Sequence, residues 1–425
     1  MLVLVLISLV AASCGTDAVE STNAPASEPT TAAPEPLETT STTEPQATTA
    51  APTTTSAPDS TTLVETTTST AATPSEPSGD AIFTSYEFPS GLVDGRPTQV
   101  QGLLGVPEGP GPFPLAIVMH GSHPPCVDDF IPETFSDTIV TETVEYLCGS
   151  DFPQYIRHDI GLGHIVTALN DVGIAAVSID VDSAYVWWGG EPFEFGTVEA
   201  LVNTHLGVVG RLNDGEDLGL GIDSLAGRMD LNQIALIGHS RSGGHIASML
   251  DTAQGLSFEP AAAVLIEPDV GAPVADLLDV PLLLIRGECD EDVGPEAGRD
   301  FLLEFASPDR SSRVTDLSIT AAGHRSINTG LNGSACPERG DRVAIQTQVA
   351  VAVSSFITTQ GEEVVVLDGV GTTVDALVGL EPTIVPSSDP VDFDPQSVPF
   401  TTSAVELLPP IPEGADFSDA LDENF

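Results

Sequence analysis

The sequence predicts an α/β domain with a mostly parallel central sheet covered by helices on both faces. Short apolar runs at residues 114–119 and 173–179 have the composition of strands buried on both faces. They alternate with segments of helical spacing, such as residues 164–171. Polar residues follow several of these strands, at the end where ligands of parallel sheets bind. Residues 81–360 are long enough to form one such domain with a substantial core.

The other elements continue this alternation along the chain. An opening antiparallel pair is predicted at residues 84–88 and 99–106. Further strands are predicted at residues 233–237, 261–266, 281–285 and 314–320, and helices at 241–252 and 341–359. Residues 361–425 form an acidic, Pro-rich extension, for which the sequence leaves open whether it wraps the domain or stays loose.

The N-terminus has the features of an export signal. Residues 1–13 form an apolar run that ends in small residues and is shorter than the roughly 20 residues needed to span a bilayer. Cys14 follows directly, in a context that resembles the lipobox of bacterial lipoproteins. The match departs from the motif in two ways: no Lys or Arg precedes the run, and Ala11 stands where the lipobox prefers Leu. We expect a signal peptide and a lipidated Cys14 that attaches the chain to a membrane, with simple secretion as the alternative.

Residues 14–80 combine this cysteine with a stretch rich in Thr, Ser, Pro, Ala and Glu. Such a stretch cannot bury enough apolar surface to offset the entropy lost on ordering, so we predict a disordered stalk. Its composition is typical of extended tethers that carry O-linked sugars. The predicted location is therefore extracytoplasmic, at the cell surface or secreted.

The charge is strongly one-sided. Acidic residues outnumber basic ones 63 to 12, the formal net charge is -51, and the chain contains no lysine. Such a field repels phosphate backbones, so nucleic acid is excluded as a partner. Attraction of cationic substrates is one interpretation; we favour adaptation to salt or a general contribution to solubility.

Four cysteines follow Cys14 in the chain. An even number in an exported protein indicates two disulfides, for which three pairings are possible. We prefer the pairings between sequence neighbours, which are Cys126–Cys148 and Cys289–Cys336. Metal binding is the rival interpretation, but the cysteines lack CxxC spacing and have no histidine cluster beside them. We expect no metal and no cofactor.

The string GHSRSGG at residues 238–244 lies between a predicted strand and a predicted helix. It resembles the nucleophile elbow G-x-S-x-G of α/β hydrolases, in which the serine sits on a strained turn flanked by small residues. The match places the nucleophile at Ser240 and puts Ser242 where the motif has its second glycine. If Ser242 were the nucleophile, Ser240 would occupy the tight glycine position, so Ser240 is preferred.

Two later loops supply partners for this serine. Residues 287–293 resemble the family's G-x-x-D-x-x-V acid loop, which makes Asp290 the acid; an ordinary solvated loop is the alternative, and Asp292 and Asp269 are weaker candidates. Residues 321–324 end in the Gly-His pair of the histidine loop, which makes His324 the base. The chain order Ser240, Asp290, His324 is the order of the α/β-hydrolase triad.

A fourth string, HGSH at residues 120–123, follows the strand at 114–119 and resembles the oxyanion loop of the same fold. The resemblance implies that backbone N–H groups of Ser122 and Arg241 hold the oxyanion. His120 and His123 are candidates for the pocket wall, although hydrogen-bonded structural histidines are the more common finding.

Two segments are candidates for shaping specificity. Residues 126–148 lie beside the oxyanion loop and are a candidate lid held by a disulfide. Residues 183–230 are predicted to form a partial cap whose Trp187 and Trp188 line the substrate pocket, or else pack the cap onto the core.

Residues 99–360 thus resemble the exported bacterial α/β hydrolases of esterase, lipase and dienelactone-hydrolase type, and the HGSHPPC and GHSRSGG strings are most similar to a secreted, GHSRGG-type branch. The resemblance implies an α/β-hydrolase fold and a serine hydrolase that cleaves small-molecule or polymeric carboxylic esters through an acyl-enzyme. The alternatives are a non-catalytic surface binding module on the same scaffold, or an acyltransferase or amidase that uses the same triad.

Overall fold

The computed structural model describes residues 80–127, 140–142, 154–186, 194–251, 258–271, 274, 276–331, 341–388 and 390–415. They all lie in the second of the two units into which the chain divides, residues 72–425. The predicted signal peptide, Cys14 and all but the last residue of the predicted stalk lie outside the described residues. None of the described helices is long and apolar enough to cross a membrane.

The secondary structure alternates as expected. The strands are β1 (Ile82–Glu87), β2 (Gly91–Val93), β3 (Arg96–Thr98), β4 (Gln101–Val106), β5 (Phe113–Met119), β6 (Cys126–Val127), β7 (Val140–Glu142), β8 (Gln154–Ile156), β9 (Ala175–Ile179), β10 (Met229–His239), β11 (Pro260–Ile266), β12 (Leu282–Gly287), β13 (Val314–Ile319), β14 (Glu363–Leu367), β15 (Thr372–Val378), β16 (Thr383–Ser387) and β17 (Phe400–Thr402). The α-helices are α1 (Gly163–Asp171), α2 (Asp182–Val186), α3 (Glu194–Asn213), α4 (Arg241–Met249), α5 (Ala297–Phe305) and α6 (Arg342–Thr358). Short 3-10 helices occupy Ile160–Leu162, His324–Ser326 and Pro395–Ser397.

One sheet of ten strands organises the domain, in the order β15-β13-β12-β11-β10-β5-β9-β4-β1-β17. The six consecutive strands β9, β5, β10, β11, β12 and β13 are all parallel to one another. The β1–β4 and β4–β9 pairs are antiparallel, as is β13–β15. The predicted α/β class with a largely parallel sheet is therefore confirmed, and the arrangement is compatible with an α/β-hydrolase fold.

The sheet separates two apolar cores. Along β5, Leu115 and Ile117 belong to one core while Ala116 and Val118 belong to the other, because successive side chains of a strand point to opposite faces. Helices α3, α4 and α5 contribute buried residues to the first core. Helices α1 and α6 cover the second. Both faces are thus buried, which explains why the central strands are continuously apolar rather than alternating.

Helix α3 corrects one expectation. It lies in the segment predicted to be a partial cap, yet its residues Val198, Leu201, Val202 and Leu212 are buried in the same core as Leu236 of β10. This part of the segment is a layer of the main domain, because its apolar residues recur with helical spacing and cover the sheet. Trp187 and Trp188 lie outside the described residues.

The C-terminal extension wraps the domain, which the sequence had left open. Strand β15 pairs with β13 at one edge of the sheet, and β17 pairs with β1 at the other. Phe393, which lies between these two strands in the chain, packs edge-on against Phe83, and β14 pairs with β16. Because unpaired strand edges invite association with other chains, the extension shields the edges that β13 and β1 would otherwise leave open.

Burial keeps several histidines neutral. His158, His164 and His205 are fully buried, and desolvation lowers the pKa of each to about 3. The unfolded chain binds protons on these rings below a pH of about 6.5, whereas the folded chain does not. The stabilisation from the neutral rings is therefore present above that pH and is lost as the pH falls toward 3.

We predict an acid-sensitive stability that reports on these rings. Between about pH 6 and pH 5, above the range in which unfolded carboxylates titrate, each ring lowers the free energy of unfolding by about 1.4 kcal/mol per pH unit. When the free energy of unfolding is measured with urea and plotted against pH, the slope for His164→Gln should be smaller than the wild-type slope by that amount. At pH 8 these rings should contribute little slope in either protein. An unchanged acid slope in the variant would contradict the assignment.

Candidate active site

Polar residues from five loops meet at the carboxyl ends of the parallel strands. Strands β5, β10, β11, β12 and β13 are parallel, so the loops that follow them all leave at the same edge. In chain order these loops supply His120–His123, Ser240, Glu267, Asp290 and His324. This edge is where α/β sheets bind ligands.

Ser240 occupies a strained turn between β10 and α4. Its φ of 56° and ψ of -127° lie in a region that non-glycine residues rarely adopt. Backbone hydrogen bonds hold the turn from both sides: Ser240 N–H donates to Ile266 O at 2.8 Å, and Ser240 O accepts from Asp269 N–H at 3.0 Å. The side chain is placed at the start of the helix, as in a nucleophile elbow.

The small residues of the GHSRSGG string are required by close packing. A Cβ at Gly238 would lie 2.6 Å from the backbone carbonyl of Ser242, and one at Gly243 would lie 2.8 Å from Pro268. A Cβ at Gly244 would overlap the carbonyl oxygen of Asp269. The helix can therefore begin directly at the end of the strand only with these glycines.

Ser242 has a different environment from Ser240. It is fully buried, its Oγ donates to His120 O at 2.5 Å, and Tyr185 Oη lies 2.7 Å from the same Oγ. These bonds use the hydroxyl to fix the loop after β5 against α4. Ser240 therefore remains the hydroxyl available at the turn.

Asp290 reaches the histidine loop, where its Oδ2 accepts from His324 Nδ1 at 3.1 Å. Its Oδ1 accepts from the N–H groups of Asp292 and Val293, both at 3.0 Å. Burial by itself raises the pKa of Asp290, but the hydrogen bond and charge of His324, helped by the two N–H groups, bring that pKa below its usual range. The carboxylate is held charged beside the ring.

The two weaker acid candidates point elsewhere. Asp269 faces Arg241 at 3.7 Å, and Asp292 faces Arg325 at 3.9 Å, both on the partly exposed surface. Neither contact involves His324. Of the three acids considered from sequence, Asp290 is the one whose carboxylate bonds the ring.

The hydrogen bonds among the described residues do not include one between Ser240 Oγ and His324. The ring of His239, directly before Ser240, lies 4.8 Å from that of His324 between centroids. Bonds between a nucleophile and its base are often long in unliganded enzymes and shorten when substrate binds.

The HGSH loop packs directly on the serine. A Cβ at Gly121 would overlap Ser240 Cβ and would lie 2.9 Å from Ser240 Oγ and 2.8 Å from His123 Nε2. His120 is structural: its Nδ1 bonds Gly121 O at 2.8 Å, and its Nε2 accepts from Val181 N–H at 3.0 Å. Of the two predicted oxyanion donors, Arg241 directly follows Ser240 in the chain and is the first residue of α4. Ser122 directly follows Gly121, the residue of this loop that packs on Ser240.

Sequence reasoning missed three buried groups beside Ser240, Asp290 and His324: His158, His239 and Glu267. The rings of His158, His123 and His239 form a chain, since the His158–His123 and His123–His239 centroids are each 5.4 Å apart. Burial lowers the pKa of His123 and of His239 well below the usual value, so these rings are neutral. His239 was visible within the GHS string, whereas Glu267 reads in the sequence as part of a polar turn.

Two groups of described residues have the composition of a metal site: His239 with Glu267 and His324, and His120 with Asp180 and Asp182. In each group the histidine nitrogens that face the carboxylates already bond within the protein, for example His239 Nε2 to His324 O at 3.1 Å. Binding a metal through these nitrogens would require breaking those bonds.

The described cysteines, Cys126 and Cys289, are disulfide-bonded. Cys148 and Cys336 lie outside the described residues, so the pairings Cys126–Cys148 and Cys289–Cys336 stay predictions. Cys289 lies one residue before Asp290, and its N–H donates to Ala322 O at 3.0 Å, which ties the acid loop to the histidine loop.

Comparison of the chain with protein-family models and with curated proteins found no match.

We predict that Gly121→Ala blocks the site. The added Cβ must displace Ser240, so labelling of Ser240 by a fluorophosphonate probe should slow at least about tenfold, equivalent to about 1.4 kcal/mol. Gly207→Ala is the matched control, because a Cβ there meets nothing within 4 Å and α3 gains helix propensity. Equal labelling of wild type and Gly121→Ala, with both folded, would show that the loop yields without affecting Ser240.

Proposed function

We propose that the protein is a serine hydrolase of the α/β-hydrolase class that cleaves carboxylic esters. The observation that carries the proposal is Ser240, held at a strained strand-to-helix turn at the sheet edge that also holds the Asp290–His324 hydrogen bond. A strained turn costs stability, and such strain is concentrated at functional sites. In α/β hydrolases a strained strand-to-helix turn exposes the nucleophilic serine.

In this proposal the reaction has two steps. His324 Nε2 takes the proton of Ser240 as Oγ attacks the ester carbonyl, then gives it to the leaving alcohol; water hydrolyses the acyl-enzyme by the same path in reverse. Asp290 holds Nδ1–H of His324, so that Nε2 faces the serine, and it stabilises the imidazolium that forms.

The oxyanion would be held by the backbone N–H groups of Ser122 and Arg241. Arg241 begins α4, where the helix dipole adds positive potential at the developing charge. Each such donor typically contributes about 3 to 4 kcal/mol to transition-state stabilisation. His123, whose buried Nε2 has no hydrogen-bond partner among the described residues, would complete the wall of the pocket beside Ser240.

We also propose that the domain works outside the cytoplasm, attached to a membrane through a lipid on Cys14. The disulfide-bonded state of Cys126 and Cys289 supports an oxidising compartment. The apolar run at residues 1–13 and the stalk composition agree with this location. The high negative charge suits a protein kept in solution at the end of a tether.

The nucleophile can be tested with p-nitrophenyl esters from acetyl to palmitoyl, with Ser240→Ala and Ser242→Ala compared in parallel. We expect Ser240→Ala to lose activity by a factor on the order of 10⁶ and to resist fluorophosphonate labelling. Ser242→Ala should still be labelled, while losing about 1 to 3 kcal/mol of stability because its buried hydrogen bonds are lost.

Each alternative has a distinct result. A folded wild-type protein that hydrolyses no ester and takes no probe would favour a binding module. Labelling without ester turnover, followed by transfer to an amine or alcohol or by amide cleavage, would favour an acyltransferase or amidase. The preferred chain length would measure the acyl pocket.

The anchor has its own test. Cys14→Ser should move the protein from the membrane fraction to the medium and abolish incorporation of an alkyne fatty acid, because one thioether-linked lipid supplies the attachment. Release of wild type and variant in equal amounts would support simple secretion.

A further inference from the structure

Glu267 is a buried acid that the proposed triad does not use. It directly follows β11, its side chain is fully buried, and its φ of 44° is unusual for a residue with a Cβ. Neither carboxylate oxygen has a partner in hydrogen-bonding geometry among the described residues. A strained backbone together with an unsatisfied buried carboxyl is costly on two counts, which indicates a role beyond packing.

The carboxyl is directed at the catalytic histidine. Its Oε2 lies 3.7 Å from His324 Nδ1, the nitrogen that Asp290 also contacts, and 3.6 Å from His239 Nε2. Since His239 Nε2–H donates to His324 O, Glu267 and His239 together contact both the ring and the backbone of the base. The space for the carboxyl is reserved by Gly287, where a Cβ would overlap Glu267 Oε1.

The charges that face Glu267 come from every loop around it. His239 precedes Ser240, His324 belongs to the histidine loop, and Asp290, Glu291 and Asp292 belong to the acid loop. Two carboxylates in one dry site cannot both ionise at low cost. Asp290 has two backbone N–H donors on Oδ1, whereas neither oxygen of Glu267 has a donor in hydrogen-bonding geometry among the described residues, and the nearby N–H of Gly287 lowers its pKa less than burial raises it. Burial first, and then Asp290, raise the pKa of Glu267 well above its usual value, so Asp290 carries the charge and Glu267 keeps its proton.

We infer that Glu267 is a second acid for His324, a positioning residue that shares with Asp290 the task of orienting the imidazole and stabilising its charged form. This inference rests on the proposed hydrolase function. With both acids present, neutral Glu267 lies beside the same ring nitrogen that Asp290 contacts. When Asp290 loses its charge, Glu267 releases its proton to solvent and becomes the carboxylate that faces Nδ1.

The test is a double-mutant cycle with Glu267→Gln, Asp290→Asn and the double variant. Replacing the acid of a triad that has no substitute lowers kcat by about 10⁴. Here we expect Asp290→Asn to lose only about 10² in kcat, Glu267→Gln alone to lose a few fold, and the double variant to fall to about 10⁴. Glu288→Gln is the matched control, since this exposed side chain makes the same substitution in the acid loop without facing the ring.

The pH profile separates positioning from mere structure. Asp290→Asn needs both an ionised Glu267 and a neutral His324, so log kcat/KM should rise on the acid side with a slope of about two, against about one in the double variant. Two results would overturn the inference. One is that Glu267→Gln lowers kcat by the same factor whether or not Asp290 is present. The other is that Asp290→Asn is already as inactive as the double variant. Thermal unfolding verifies that each variant is folded.

A readout without turnover keeps the two proposals distinguishable. In the Ser240→Ala background, the Nδ1–H proton resonance of His324, assigned with His324→Gln, should persist in Asp290→Asn and vanish in the double variant. Persistence in both would overturn the second-acid role. If wild type and the variants with Ser240 intact hydrolyse no ester but the resonance follows this pattern, the second-acid geometry stands and the esterase proposal fails.

Discussion

The arrangement depends on one backbone constraint, the turn at Ser240 that converts β10 into α4 without an intervening loop. The turn is strained, and it persists because the sheet holds it: Ser240 bonds Ile266 and Asp269 through its backbone, and glycines allow α4 to approach the loop after β11. The same close approach fixes Ser242 against His120, and thereby the loop that covers Ser240. A change in any of these contacts would move the proposed nucleophile.

Around this turn the protein gathers polar groups in a dry environment and keeps most of them neutral. Desolvation lowers the pKa of His123 and His239 and raises that of Glu267, so the buried rings and the extra acid carry no charge. Asp290 stays charged beside them, because His324 and two backbone N–H groups compensate its charge. In a low-dielectric site such a compensated carboxylate acts strongly on the ring it contacts.

Several of the few cations of this acidic chain lie buried in ion pairs. Arg157 is fully buried, bonds Asp159 through two nitrogens at 2.8 and 2.6 Å, and lies 5.5 Å from the ring of Phe400 in β17. Arg286 bonds Asp316 across neighbouring strands in the same bidentate way. Arginine suits these positions because its planar fork satisfies a carboxylate with two bonds while staying charged when buried. The Phe400 contact also ties the C-terminal extension to the edge of the sheet.

The sequence by itself determined the alternation of elements and the class of sheet, and it marked Ser240, His324 and three candidate acids, because apolar periodicity and short strand-end motifs are local properties of the chain. Strands such as β5 and helices such as α6 fall within a few residues of their predicted bounds. Tertiary structure alone decided which acid meets the histidine, since Asp269, Asp290 and Asp292 are equivalent as residue types and differ only in where their loops direct them. It also decided that α3 covers the core, that β15 and β17 close opposite edges, and that Glu267 faces His324. These contacts join residues distant in the chain, and no local pattern encodes them, because the packing of the whole sheet brings them together.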